Sequence, residues 1–147
     1  MAQPAAVLPD PLQEAFAVQL RLCRQLEDVA DSLPARLDRQ LCLHLSRLVG
    51  PVVRQAHAAE EKHLFPAVKA GLAHGPAVVE RLRLEHMEDE CFAEEVQHEL
   101  MRLGRGDPSV VPEATGYMLR GFFEGIRRHI HHEAELLGVD LKDSAGR

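Results

Sequence analysis

The chain has 147 residues, 46% of them hydrophobic and 4% aromatic, with a formal net charge of −6 at pH 7. That length suits one compact domain with a core of its own, and a core filled by Leu, Val and Ala needs few aromatics, so the composition leans towards helices. The acidic balance, with arginines scattered among acids, argues against nucleic acid and anionic membranes as partners, since both call for clustered Lys and Arg.

Residues 1–11, with Pro4, Pro9 and Pro11, read as an extended N-terminal arm. From Leu12 to Leu33 the residues Leu12, Phe16, Gln19, Cys23, Leu26, Ala30 and Leu33 recur at alternating steps of four and three, the seam spacing of a bundle helix. Pro34, near a first helical position, starts a second helix reaching about Lys69. Gly50-Pro51 predicts a kink in it, and Pro66 a kink or an end. Gly71 and Gly75-Pro76 make the next turn. The third helix spans 76–103, with Val79, Leu82, His86, Glu90, Ala93 and Leu100 inward, and Gly104-Arg105-Gly106-Asp107-Pro108 breaks it. The fourth runs over 112–137, with Leu119, Phe122, Ile126, His129, Glu133 and Leu136 on one side, and Gly138 is a natural stop. Residues 139–147 read as a loose polar tail. Nothing signals a strand. The expected fold is all-α, an antiparallel up-down-up-down four-helix bundle over residues 12–138.

No apolar run approaches the roughly 18 residues needed to cross a bilayer. Met1-Ala2-Gln3-Pro4 lacks the positive start and apolar stretch of a signal peptide, so a cytoplasmic address is expected. Cys23, Cys42 and Cys91 form no CxxC and read as reduced thiols packed as small hydrophobes, with a redox or metal role for Cys91 as the alternative.

Three of the four helices carry His and Glu four residues apart: His57/Glu61, His86/Glu90 and His129/Glu133. Residues at i and i+4 share a helix face, so each pair offers an imidazole and a carboxylate to the same neighbour. A single such pair is common as a surface hydrogen bond. All three lie on apolar stripes, however, and an unpartnered buried carboxylate costs several kcal/mol. A cation neutralises such groups directly, and mixed imidazole and carboxylate donors suit iron, zinc or manganese.

The stretch His57-Ala-Ala-Glu60-Glu61-Lys-His-Leu64-Phe65-Pro66 resembles the second-helix signature of the hemerythrin-like HHE cation-binding family. Leu84-Glu85-His86 resembles its third-helix element and His129-Ile130-His131-His132-Glu133 its fourth, in matching order from about Leu12 to Gly138. The resemblance implies two non-haem irons per chain, with one iron or zinc as the alternative. It implies His57, His86 and His129 as terminal ligands and Glu61 and Glu133 as bridging carboxylates. Family members bind O2, sense O2 or iron, or handle iron and nitric-oxide stress. Two departures stand out. The first helix has no histidine, and Gln19 or Phe16 stands about where one would sit; Glu90 holds the place of a second third-helix histidine and could replace the missing nitrogen.

The expected function is binding or sensing of O2 or a related small oxidant. The alternatives are a carboxylate-rich di-iron enzyme that oxidises Fe(II) or decomposes peroxide, and a mononuclear iron or zinc sensor or interaction module. Glu60 reads as facing solvent or a neighbouring Arg, with an extra ligand role as the alternative, and Asp89 could share the role of Glu90. His44 reads as a core histidine, and His63, His74, His98, His131 and His132 as surface residues, with a supporting role open to His132.

Overall fold

The computed structural model describes residues 7–141. Five helices follow one another: α1 (Asp10–Ser32), α2 (Arg39–His63), α3 (Phe65–Gly71), α4 (Gly75–Gly104) and α5 (Pro112–Leu136), with no strand among the described residues. The four long helices form the all-α bundle that the apolar seams predict. α1 packs against α2 and α5, and α4 against the same two, so the order around the bundle is α1–α2–α4–α5. The short α3 rests on α4 and α2.

The expected second helix is divided and starts later. Asp38 caps α2, its carboxylate accepting the Leu41 N–H at 3.1 Å, so the helix begins at Arg39 and Pro34 lies in the preceding turn. Pro51 is carried inside α2, and the adjacent Gly50 N–H is taken by the Gln97 side chain of α4 at 2.6 Å. At the other end Pro66 has no N–H to continue the ladder, so α2 stops at His63 and α3 begins one residue later with that proline in its first turn.

Residues 1–6 and 142–147 lie outside the described residues, with most of the expected arm and tail. Asp10 and Pro11 are already helical. Val139 and Leu141 are partly buried against the core, so the described start of the tail packs. α5 closes as the sequence signals: Gly138 takes φ +74°, its N–H reaches Glu135 O, and Val139 N–H reaches Ala134 O. Those two bonds satisfy carbonyls that the helix end would leave open.

The core runs along the bundle through Leu12, Leu26, Leu45, Val53, Leu100 and Phe123, none more than 1% exposed. Arg127 grips Glu27 through both terminal guanidinium nitrogens, at 3.1 and 3.2 Å, tying α5 to α1. Thr115 donates to buried Glu99 at 2.7 Å and ties α5 to α4. Cys23 and Cys42 are packed as expected, and burial pushes their thiols up to about 12 and about 11. Cys91 is exposed instead, because it lies off the inward seam of α4. His44 is likewise exposed, standing between buried Cys42 and Leu45 on the outer side of α2.

Candidate metal centre

The inward seams of three helices set the site. α2 buries Val49, Val53, Ala56, His57 and Glu60, with Leu64 just past its end; α4 buries Leu82, His86, Asp89 and Ala93; α5 buries Ile126, Ile130 and Glu133. Four polar side chains therefore meet in the apolar interior: His57, Glu60, His86 and Glu133, which are 4%, 1%, 2% and 2% exposed.

The imidazoles of His57 and His86 lie face to face, with centroids 3.7 Å apart and planes 2° from parallel. His86 Nε2 stands 3.2 Å from Glu60 Oε2 and 3.1 Å from Glu133 Oε1. The i,i+4 pairs of α2 and α4 cross over: His57 Nδ1 is 3.4 Å from Glu90 Oε2, and His86 Nδ1 is 3.6 Å from Glu61 Oε1. From α1, Gln19 donates its side-chain N–H to Glu60 Oε1 at 3.2 Å and to Ala15 O at 3.1 Å. The Phe65 ring of α3 also stacks on His86, centroids 5.2 Å apart.

Charge in this cluster is fixed by burial and by a few hydrogen bonds. Burial, reinforced by the charge of His86, lowers the pKa of His57 and keeps it neutral. For His86 burial works in the same direction, but hydrogen bonds to Glu133 and Glu60 outweigh it and raise the ring to about 10. Burial opposes ionisation of Glu60 too, yet its hydrogen bonds with His86 and Glu133 hold it below the usual carboxylate value. Glu133, burdened by burial and by the neighbouring Glu60, is pushed up to about 9. Without a cation the cluster thus holds one imidazolium, one carboxylate, one neutral ring and one carboxylic acid.

That arrangement leaves ligand atoms over. His57 Nδ1, Glu60 Oε2, His86 Nδ1 and Glu133 Oε2 are fully buried and make no hydrogen bond of good geometry; Glu60 Oε2 has only the ion-pair contact to the shared His86 Nε2, and the two Nδ1 atoms only carboxylates at 3.4 and 3.6 Å. Each such atom costs about 1–3 kcal/mol. Donor atoms of His57, Glu60 and His86 all lie within 4.8 Å of one another. Once His86 and Glu133 give up their protons, these buried nitrogen and oxygen donors, converging from α2, α4 and α5, fit a cation of the iron, zinc or manganese type.

Of the ligands expected from sequence, His57, His86 and Glu133 meet in this cluster. Glu61 and Glu90 stand at its edge, their side chains 41% and 34% exposed, each touching one of the stacked rings. His129 is half-buried and held by Asp89, Nδ1 to Oδ2 at 2.7 Å, a bond that raises its pKa against the opposing effect of burial.

Glu60, expected to face solvent, is instead among the most buried side chains of the protein. A signal for it was present. Val53, Ala56, Glu60 and Leu64 fall at steps of three and four, so the seam of α2 passes through Glu60 with Glu61 beside it. The same rule picks Asp89 on α4, between His86 and Ala93, and Ile130 on α5, between Ile126 and Glu133.

Fold and site together define a helical bundle with a buried histidine–carboxylate cluster suited to a cation. The chain belongs to the hemerythrin HHE cation-binding domain family, whose family model matches residues 17–138. No curated protein and no solved structure gives a significant match. Among the described residues no helix is long and apolar enough to cross a membrane.

Proposed function

We propose that this bundle holds iron between α2, α4 and α5 and binds or senses O2 or a related small oxidant. One observation carries the reading: four fully buried donor atoms, on His57, Glu60, His86 and Glu133, converge without hydrogen bonds of good geometry. These four residues would hold the first ion. Glu90, touching the His57 ring from the half-exposed side, and His129 beside Asp89 are the donors from which a second iron would be held, with Glu61 at the mouth of the site. Bound iron would supply a redox-active centre with affinity for dioxygen. The chain's own part is to keep the site dry and to set its charge. Phe65 covers His86 with its ring, and Gln19 holds Glu60 in place from the helix that has no histidine.

The test is metal content of protein purified without chelators, followed by admission of air to the reduced sample. About two irons per chain, and a new charge-transfer absorption in air, are expected. Iron-loaded protein that shows no spectral change in air would sink the oxidant reading. Protein that retains no metal would sink the cation reading as a whole.

A second reading draws on the donor balance. Glu60, Asp89, Glu90 and Glu133 outnumber the imidazoles of His57, His86 and His129, and a carboxylate-rich iron pair can oxidise Fe(II), with dioxygen or peroxide as the electron acceptor. Repeated turnover of added Fe(II) would favour it, whereas a single stoichiometric oxidation would favour binding or sensing.

A further inference from the structure

A pocket of about 530 Å³ opens beside α3 and the start of α4, lined by Glu61, Phe65, Lys69, Val79, Glu80 and Arg83 among others. Two of these residues are also walls of the buried centre. Glu61, 41% exposed, brings Oε1 to 3.6 Å from His86 Nδ1, an atom that has no hydrogen-bond partner. Phe65, 3% exposed, stacks on His86, and the Arg83 guanidinium lies over the Phe65 ring at 5.2 Å. His57, His86, Phe65 and Arg83 therefore form a continuous file from the interior to the pocket.

We infer that this pocket is the port through which a divalent cation passes between water and the buried centre, with Phe65 as the gate and Glu61 as the transfer carboxylate. The inference rests on the cation-binding reading above. A hydrated ion sheds its water against another oxygen donor, and Glu61 presents a carboxylate both to the pocket and to a buried ring nitrogen. Phe65 stands where the pocket would otherwise meet His86. It rides on α3, a seven-residue helix separated from α2 by the break at Leu64, so it can shift without moving the ligands of α2 and α4. Arg83 holds the gate shut from outside through its contact with the ring face, and its charge opposes an entering cation. Exposed Glu80 at the rim offsets that charge and that of Lys69.

The experiment mixes metal-free full chain with Co(II) in a stopped-flow spectrometer, reads the visible cobalt bands, and then strips the ion with EDTA. Phe65→Ala should speed both uptake and stripping by about tenfold or more, with cobalt per chain unchanged. Arg83→Gln should speed uptake more modestly. Glu80→Trp, which fills the pocket from its exposed rim, should slow both processes, and it carries the test if Phe65→Ala does not fold. Glu61→Gln should slow uptake at full final stoichiometry. Rates unchanged in both Phe65→Ala and Glu80→Trp would overturn the port. Uptake slowed by Glu90→Gln but not by Glu61→Gln would place the entry elsewhere and overturn it too. Lost stoichiometry in Glu61→Gln would make that residue a resident ligand and end its transfer role. No cobalt uptake by the unaltered chain would instead remove the cation-binding reading itself, and the port with it.

Discussion

His57 and His86 stack with their ring planes 2° apart and their centroids 3.7 Å apart. Two imidazolium rings at that distance would repel strongly in a dry interior. Only one of them can be charged, and the two carboxyls on His86 decide which: Glu60 and Glu133 both contact its Nε2. The His57 ring is left neutral, the state in which an imidazole can bind a cation.

His86→Ala should therefore do two separable things. It should remove most of the bound metal, read as metal per chain, while far-UV circular dichroism stays helical. In chelated protein it should cost about 3–5 kcal/mol by urea unfolding, because Glu60 and Glu133 lose the partner they share. His57→Ala should also empty the site, at about 2–5 kcal/mol, because a neutral ring leaves a cavity and no stranded charge. Equal metal content in either variant and the unaltered chain would refute the assignment.

The adjacent acids of α2 separate the buried centre from its edge. Glu60 is 1% exposed and touches both His86 and Gln19; the Glu61 side chain is 41% exposed. Glu60→Gln should lower metal affinity about 10–100-fold, while Glu61→Gln should leave final metal content close to normal. The reverse result would put the ligand one residue further along the helix. His129→Ala then probes nuclearity: a dinuclear centre should lose about half its iron, and a mononuclear one held by the other four residues should lose almost none.

How far the sequence could be read follows from that one-residue offset. The four long helices were legible because Leu, Val, Ile and Phe mark each seam at steps of three and four. His57, His86 and Glu133 were legible because they stand on those seams. The motif His-x-x-x-Glu, by contrast, ties a histidine to the residue four further on, and a helix face is wide enough to hold it. It is not wide enough to bury both members equally. Glu61, Glu90 and His129 each lie one position off the seam and end up partly exposed, while Glu60, Asp89 and Ile130 take the interior. Following the apolar steps through the charged residues would have placed Glu60. The pairing of His57 with Glu90 and of His86 with Glu61 was out of reach, because it depends on how α2 and α4 are set against each other along their length.

Gln19 occupies the first-helix side of the centre, 2% exposed and bonded to Glu60. Gln19→Leu should destabilise metal-free protein by about 1–3 kcal/mol, since Glu60 Oε1 loses its donor in a dry site. Gln19→His, which places an imidazole there, should strengthen metal binding by about tenfold in competition with a chelator. An unchanged affinity would mean that α1 lies too far from the ion to contribute a ligand.

Removing the metal should also change how stability depends on pH. The folded chain raises His86 from 6.5 to about 10 and Glu133 from 4.5 to about 9. Both groups hold protons that the unfolded chain releases, so both make stability fall as pH rises. The contribution of His86 is complete below 6.5 and is lost as pH passes about 10; the cost of keeping Glu133 protonated grows from 4.5 to about 9. His57 and Glu60 are shifted down and oppose this trend only below their ordinary values of 6.5 and 4.5. Between pH 6.5 and 9 the chelated protein should therefore lose several degrees of Tm, on the order of 5 °C. A bound cation takes the place of those same protons, so its affinity rises over the same interval. The Tm gap between loaded and chelated protein should widen from pH 6.5 to 9, as differential scanning calorimetry would record. A gap that narrows over this range would mean that the ion does not displace the protons of His86 and Glu133, and that it binds elsewhere.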